Sequence, residues 1–181
     1  LADSVLCISK TVKKDFLDWL LSKYDIQNTE IPIQVIPMGF DLEASVPNCG
    51  MPDNAQGLLQ IFTETPTAIM VGTLEPRKGH QHALDAFELL WRQGHDINLL
   101  IVGKRGWKTN KLQSLLERHP ERNVRLFWLE NVSDEFLLSL YQVSSGLIIA
   151  SEAEGYGLPI IEALGNGKLV VARDLPVFRE I

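Results

Sequence analysis

The residues best suited to chemistry lie in one stretch, Ser151-Glu152-Ala153-Glu154-Gly155-Tyr156-Gly157-Leu158-Pro159-Ile160-Ile161-Glu162-Ala163-Leu164. Gly155 and Gly157 allow the backbone to approach a ligand closely, and Pro159 suits the first position of a helix, where a missing N–H costs nothing. Free N–H groups from Tyr156 to Ile160, together with the positive end of the helix dipole, would form an anion site suited to a pyrophosphate. Glu154 sits in the loop before that helix, and Glu162 lies three residues past its expected first position, about 4.5 Å along the axis. A carboxylate accepts hydrogen bonds from hydroxyls, so two acids flanking one anion site suit the diols of sugars, one at a hexose and one at a ribose. As a capping box the same segment would want Ser or Thr at position 158, and Leu158 cannot serve.

A second segment, Gly72-Thr73-Leu74-Glu75-Pro76-Arg77-Lys78-Gly79, carries the complementary charge. Arg77 can bind phosphate bidentately and Lys78 can act as a point charge. By itself such a turn is an ordinary solvated loop; its meaning comes from partnership with residues 154–162.

Both segments need scaffolding, and the hydrophobic pattern supplies it. An apolar run at Ala68–Val71 precedes the basic turn. A helix follows, with Ala83, Ala86, Phe87, Leu90 and Trp91 on one face and Gly94 as its stop. Ile97–Val102, Val124–Trp128, Gly146–Ala150 and Leu169–Ala172 read as further strands, with helices marked by Leu112, Leu115 and Leu116 and by Phe136, Leu137, Leu140 and Tyr141 behind a Ser133 N-cap. Five strands alternating with helices predict an α/β, Rossmann-like parallel sheet with helices on both faces. In such sheets ligands bind at the carboxyl ends of the strands, so the loops after residues 72, 102, 128 and 150 are where a site is expected.

Upstream, Val5–Ser9 reads as a strand, residues 11–24 as an amphipathic helix and Gln34–Ile36 as a second strand. Pro47, Asn48, Gly50, Pro52, Asp53 and Asn54 mark a linker, with a short helix expected at Ala55–Phe62. The expected organisation is therefore 1–41 as the end of one domain, 42–66 as a linker and 67–181 as a second, incomplete domain. From the opening without Met, on a strand already under way, and the close at Ile181 without a stop signal, the chain is expected to be a fragment cut at both ends.

Composition narrows the partners. Hydrophobic content of 45% with 22% charged residues is ordinary for a folded protein, and a net charge of −6 without a basic, aromatic-interleaved cluster argues against nucleic acid. Cys7 and Cys49 stand in no metal-ligand spacing, which suits a reducing cytosol. No apolar run is long enough to span a bilayer. His80 and His82, two residues apart on a helix, diverge by about 200° and make a poor metal pair, so both are expected in solvent.

Taken together, these segments resemble the family-4 retaining glycosyltransferases of the GT-B type. Glu154 and Glu162 enclose seven residues, the Glu-x7-Glu pattern of that family; Val71 to Gly79 resembles its phosphate loop, and Val35-Ile36-Pro37-Met38-Gly39-Phe40-Asp41 its crossing between domains. Asp3 to Ser9 is similar to the strand that closes its N-terminal domain, so the resemblance covers nearly the whole chain and makes it the C-terminal, donor-binding half of a GT-B fold. The resemblance implies transfer of a hexose, with retention, from a nucleotide-diphosphate sugar, with GDP-mannose the preferred donor on the form of the phosphate loop.

Residue by residue, the resemblance implies that Glu154 contacts the donor sugar, Glu162 the ribose, and the backbone of Gly155, Tyr156, Gly157 and Leu158 the pyrophosphate and sugar. Lys78 would hold phosphate, while Val132 and Gly103 would line the nucleobase slot beside Gly72 and Thr73. Many relatives carry Arg where this chain has Thr73, and Arg77 is expected to take that role. Glu154, Arg77 and Lys78 are thus the expected catalytic group. The family's front-face displacement, in which side-chain cations neutralise the leaving phosphate, implies no cofactor and no metal, in keeping with the lack of an Asp-x-Asp sequence. A saccharide or lipid-linked acceptor would be held by a domain outside the chain, at the cytoplasmic side and with peripheral membrane association. Epimerase or phosphorylase chemistry on the same fold, or a non-catalytic nucleotide-sugar-binding module, remain the alternatives. A dinucleotide oxidoreductase is disfavoured because no Gly-x-Gly-x-x-Gly follows the Ala68–Val71 strand.

Overall fold

The computed structural model describes residues 3–26, 31–39 and 50–181. Phe40 and Asp41 of the expected crossing, and Pro47, Asn48 and Cys49 of the expected linker, lie outside the described residues. Two parallel sheets form. β1 (Val5–Cys7) pairs with β2 (Ile33–Val35), joined through α1 (Lys10–Tyr24). The larger sheet contains β3 (Thr67–Val71), β4 (Asn98–Val102), β5 (Leu126–Leu129), β6 (Gly146–Ile149) and β7 (Leu169–Ala172), in the order β5-β4-β3-β6-β7.

Alternation along the strands decides which helix covers which face. Ile69, Leu100, Phe127, Leu147 and Ile149 point to one side, where they meet Phe62 of α2 (Ala55–Glu64), Phe136, Leu140 and Tyr141 of α5 (Asp134–Val143), and Ile160 and Ala163 of α6 (Leu158–Gly165). Ala68, Met70, Leu99, Ile101 and Leu126 point to the other, against Ala83, Leu84, Phe87 and Trp91 of α3 (His80–Arg92) and Leu116 of α4 (Asn110–Arg118). Because β3 and β4 are covered on both sides, they read as unbroken apolar runs. Phe62 is buried edge-on against Phe127 with centroids 4.9 Å apart, so α2, inside the stretch read as linker, packs in this core. Burial of such a ring contributes about 1.5–3 kcal/mol.

Several local expectations shift. The buried face of α3 carries Leu84 and His80, while Ala86 is exposed and Leu90 half-buried, because the sheet-facing stripe runs His80, Ala83, Leu84, Phe87 and Trp91 at helical spacing and leaves Ala86 and Leu90 off its centre. β5 begins at Leu126 and leaves Val124 exposed. Ser9 belongs to a cap rather than a strand: its hydroxyl accepts from the Val12 amide at the start of α1. Ser133 caps α5 as expected, accepting from the Phe136 amide at 3.1 Å.

Candidate functional site

The strand order reverses at β3. The chain leaves β3 toward β4 on one side and later returns to pair β6 on the other, so the loops after β3 and β6 diverge from neighbouring strand ends. That crevice is where ligands bind in open α/β sheets. The β3 loop ends in a 3-10 turn, Pro76–Lys78, and at Gly79 with φ 69°. A Cβ on Gly79 would lie 2.3 Å from the Ala150 carbonyl oxygen, so only glycine lets this turn rest on the exit of β6. The Glu152 amide donates to the Arg77 carbonyl at 2.7 Å, which fastens the two loops through backbone alone.

Side chains complete the junction around Glu154. Lys78 Nζ donates to its Oε1 at 2.6 Å, Ser151 Oγ to the same oxygen at 2.8 Å, and Arg77 Nη1 to Oε2 at 3.0 Å. Arg77 also donates from Nη1 to the Ala153 carbonyl and pairs through Nε with Glu75 at 2.9 Å. Glu154 is 11% exposed and Lys78 16%, while Arg77, at 42%, reaches solvent. Burial would push the Glu154 carboxyl up, but hydrogen bonds from Lys78, Ser151 and Arg77 and the Lys78 charge hold it below its ordinary value. A carboxylate has about four acceptor positions, and among the described residues three are filled, which leaves one on Oε2 open for a hydroxyl.

A cleft of about 370 Å³ opens beside this cluster, lined by Val71, Gly72, Thr73, Val102, Gly103, Lys104, Asn131 and Val132. The sequence-predicted residues Gly72, Thr73, Gly103 and Val132 thus share one wall. Gly103 permits that closeness, since a Cβ there would lie 1.9 Å from the Gly72 carbonyl oxygen. The end of the Lys78 side chain lies 3.5 Å from where a Gly72 Cβ would stand, which brings the basic turn to the edge of the cleft.

The start of α6 departs in detail from expectation. The helix opens at Leu158 behind Gly157, which puts Pro159 second rather than first; its lacking N–H is still one that no helical acceptor would reach. Ile160 N–H is not free, because it donates to Gly157 O at 2.9 Å. The open donors narrow to the amides of Tyr156, Gly157 and Leu158, which have no protein acceptor among the described residues. Gly155 and Gly157 turn their bare α-carbons toward protein: added Cβ atoms would meet Ile8 and Phe178, each at 3.0 Å.

Glu162 faces a different neighbour from Glu154. Its Oε2 accepts from the buried Tyr141 hydroxyl at 2.7 Å. Burial, only partly offset by that hydrogen bond and reinforced by Asp134, raises the Glu162 carboxyl, and the same burial and negative charge raise the Tyr141 phenol. No contact joins Glu162 to the basic turn.

His80 corrects an expectation. It is 2% exposed, its Nδ1 has no protein partner among the described residues, and burial with the nearby Lys78 charge pushes it down to about 4, so it is neutral at pH 7. It lies near Lys78 because α3 begins directly after the turn. His82 is exposed, as expected. Sequence reasoning also missed the partners of the two acids. Ser151 was legible in principle, three residues before Glu154, whereas Tyr141 reaches Glu162 from another helix and leaves no local signal.

A parallel sheet of this order, with a carboxylate-bound basic turn at its switch point, defines an α/β domain with the fold of the GT-B glycosyltransferases. The chain belongs to the glycosyl transferases group 1 family, whose model matches residues 54–181. It is similar to the serotype-specific mannosyltransferase WbdA of Escherichia coli, 50% identical over 99% of this chain and 22% of that protein. O-antigen chain mannosyltransferase B of Escherichia coli is 36% identical over 63% of the chain and 30% of that protein. The chain thus spans about a fifth of the length of the first of these relatives. Among solved structures, Anabaena Alr3699/HepE in complex with UDP-glucose matches 99% of this chain and 47% of its own, with a TM-score of 0.74 at 22% identity. A glycosyltransferase from Rickettsia africae ESF-5 matches 94% and 44%, with a TM-score of 0.68 at 26% identity.

Proposed function

We propose that this chain is the donor-binding part of a retaining mannosyltransferase that takes its sugar from GDP-mannose, with α2 and residues 67–181 together as the donor domain. The observation that carries the reading is the Arg77–Lys78–Glu154 cluster at the edge of the cleft formed by Gly72, Thr73, Gly103 and Val132. The nucleobase lies along Gly103 and Val132, Glu162 takes the ribose hydroxyls, and the diphosphate meets the amides of Tyr156, Gly157 and Leu158. Lys78 and the free edge of Arg77 neutralise the leaving phosphate, while the open position on Glu154 accepts a sugar hydroxyl. As the glycosidic bond breaks, negative charge grows on the departing phosphate, and cations already held in place stabilise it without reorganisation. The cations serve in place of a metal. The acceptor, a saccharide or lipid-linked saccharide, is held outside this chain at the cytoplasmic face of a membrane; among the described residues no helix is long and apolar enough to cross one.

Similarity to the mannosyltransferase WbdA supports mannose, and a relative solved with UDP-glucose supports a nucleotide-sugar slot on this fold. Calorimetry with GDP, UDP and ADP tests the reading. GDP should bind tightest, and its affinity should fall in Lys78→Ala; a chain that binds none of the three would overturn the proposal.

A further inference from the structure

The start of α1 is tied to the loop that carries Glu154, although the two lie at opposite ends of the sequence. Ser9 Oγ donates to the Gly155 carbonyl at 2.9 Å while accepting from the Val12 amide at 3.0 Å. The next two open amides of α1 belong to Lys10 and Thr11, and both are taken by one distant side chain. Lys10 N donates to Glu180 Oε2 at 2.7 Å and Thr11 N to Oε1 at 2.8 Å, with the Thr11 hydroxyl also on Oε1. A carboxylate spanning two amides at the positive end of a helix is a favourable cap. Glu180 stands in the terminal 3-10 turn Pro176–Glu180, and Phe178 of that turn packs at Gly157. Residues 155–157 are therefore gripped at two points, by Ile8, Ser9 and Val12 at Gly155 and by Phe178 and Ile181 at Gly157.

The grip has a consequence for one peptide group. In a trans peptide the C=O and the following N–H point in opposite directions. A Gly155 carbonyl held toward α1 therefore turns the Tyr156 N–H away from α1, and that N–H has no protein acceptor among the described residues. With glycine at 155, rotation of this peptide is otherwise cheap. We propose that Ser9 and Glu180 are positioning residues that lock the Gly155–Tyr156 peptide, so that the Tyr156 N–H is presented to the donor's diphosphate only while α1 is docked. This rests on the donor-site reading given above, and it makes the docking of the β1–α1–β2 unit a condition for a complete anion site.

The test uses the full-length protein with Ser9→Ala, Glu180→Ala, Glu180→Gln and the Ser9→Ala/Glu180→Ala double variant. The Tyr156 amide has no protein hydrogen bond to lose among the described residues, so the lock is read without substrate by the 15N relaxation of that amide and by the carbonyl 13C shift of Gly155. In either alanine variant the Tyr156 amide should become more mobile and the Gly155 carbonyl signal should move as a hydrogen bond is lost, while residues 68–71 and 99–102 stay rigid. Glu180→Gln, which keeps one carbonyl acceptor, should fall between. With donor, KM should rise about five- to tenfold, the loss of roughly one neutral hydrogen bond, and the double variant should be no worse than the worse single, since both act on one chain of contacts. A merely structural cap would fray α1 and leave the Gly155 and Tyr156 signals unchanged. Unchanged signals at 155 and 156 overturn the lock, and a loosened Tyr156 amide with an unchanged donor KM overturns its role. If the wild type binds no nucleoside diphosphate, the donor reading fails, while the relaxation measurement still decides whether the lock exists.

Discussion

Replacing Glu162 by Ala and by Gln should separate binding from stability. In the folded chain this carboxyl is half-buried, accepts the Tyr141 hydroxyl at 2.7 Å and sits near Asp134. Its folded-state value is raised, so between the ordinary and the raised value the folded chain holds more proton than the unfolded one. Stability therefore falls as pH rises through that window, and above it the ionised group weighs against the fold. Gln removes the charge and keeps a carbonyl for Tyr141, so Glu162→Gln should be at least as stable as wild type at pH 7. Ala instead strands the hydroxyl of Tyr141, a residue 0% exposed. An unsatisfied buried hydroxyl costs about 1–3 kcal/mol, which places the Ala variant roughly 2–12 °C below the Gln variant in melting temperature. Both variants lose a charged acceptor for ribose. GDP affinity should fall by about 1–3 kcal/mol, or roughly five- to 150-fold in Kd, with Ala at the upper end. Thermal melts at pH 7 and calorimetry with GDP read the two effects. A Gln variant less stable than wild type would refute the burial argument, and unchanged GDP affinity in both variants would remove Glu162 from the site.

Gly79→Ala should destabilise the chain by about 2 kcal/mol or more, because its Cβ would fall 2.3 Å from the Ala150 carbonyl oxygen at a φ of 69° that L-residues disfavour; denaturant midpoints check it, and a neutral result would mean the two loops are not in contact. Acid should weaken the same junction. The Glu154 carboxyl is held below its ordinary value, so the stability it contributes is present above that ordinary value and lost as pH falls through the depressed one. Glu154→Gln should flatten that acid-side loss in a pH series of melts, and an unchanged profile would count against the Lys78–Glu154 pairing.

What the sequence determined by itself was local. Apolar runs such as Thr67–Val71 and Asn98–Val102 bury both faces, so their strand character and the parallel sheet could be read directly, and Ser133 announces its helix with its own hydroxyl. Glu154, Lys78 and Arg77 were legible as a candidate site because each follows a strand, and strand ends in a parallel sheet share one edge. Tertiary structure alone decided which groups meet. The Ile160 amide is spent on Gly157, His80 is buried because it falls on the sheet-facing stripe of α3, and the hydroxyl of Tyr141 claims Glu162 from another helix. The capping of α1 by Glu180 spans 170 residues of sequence and has no periodic or motif signature. Hydrogen bonds between distant elements depend on how helices are set against the sheet, and the pattern of apolar residues specifies which face is buried without specifying which polar atoms that packing brings within 3 Å.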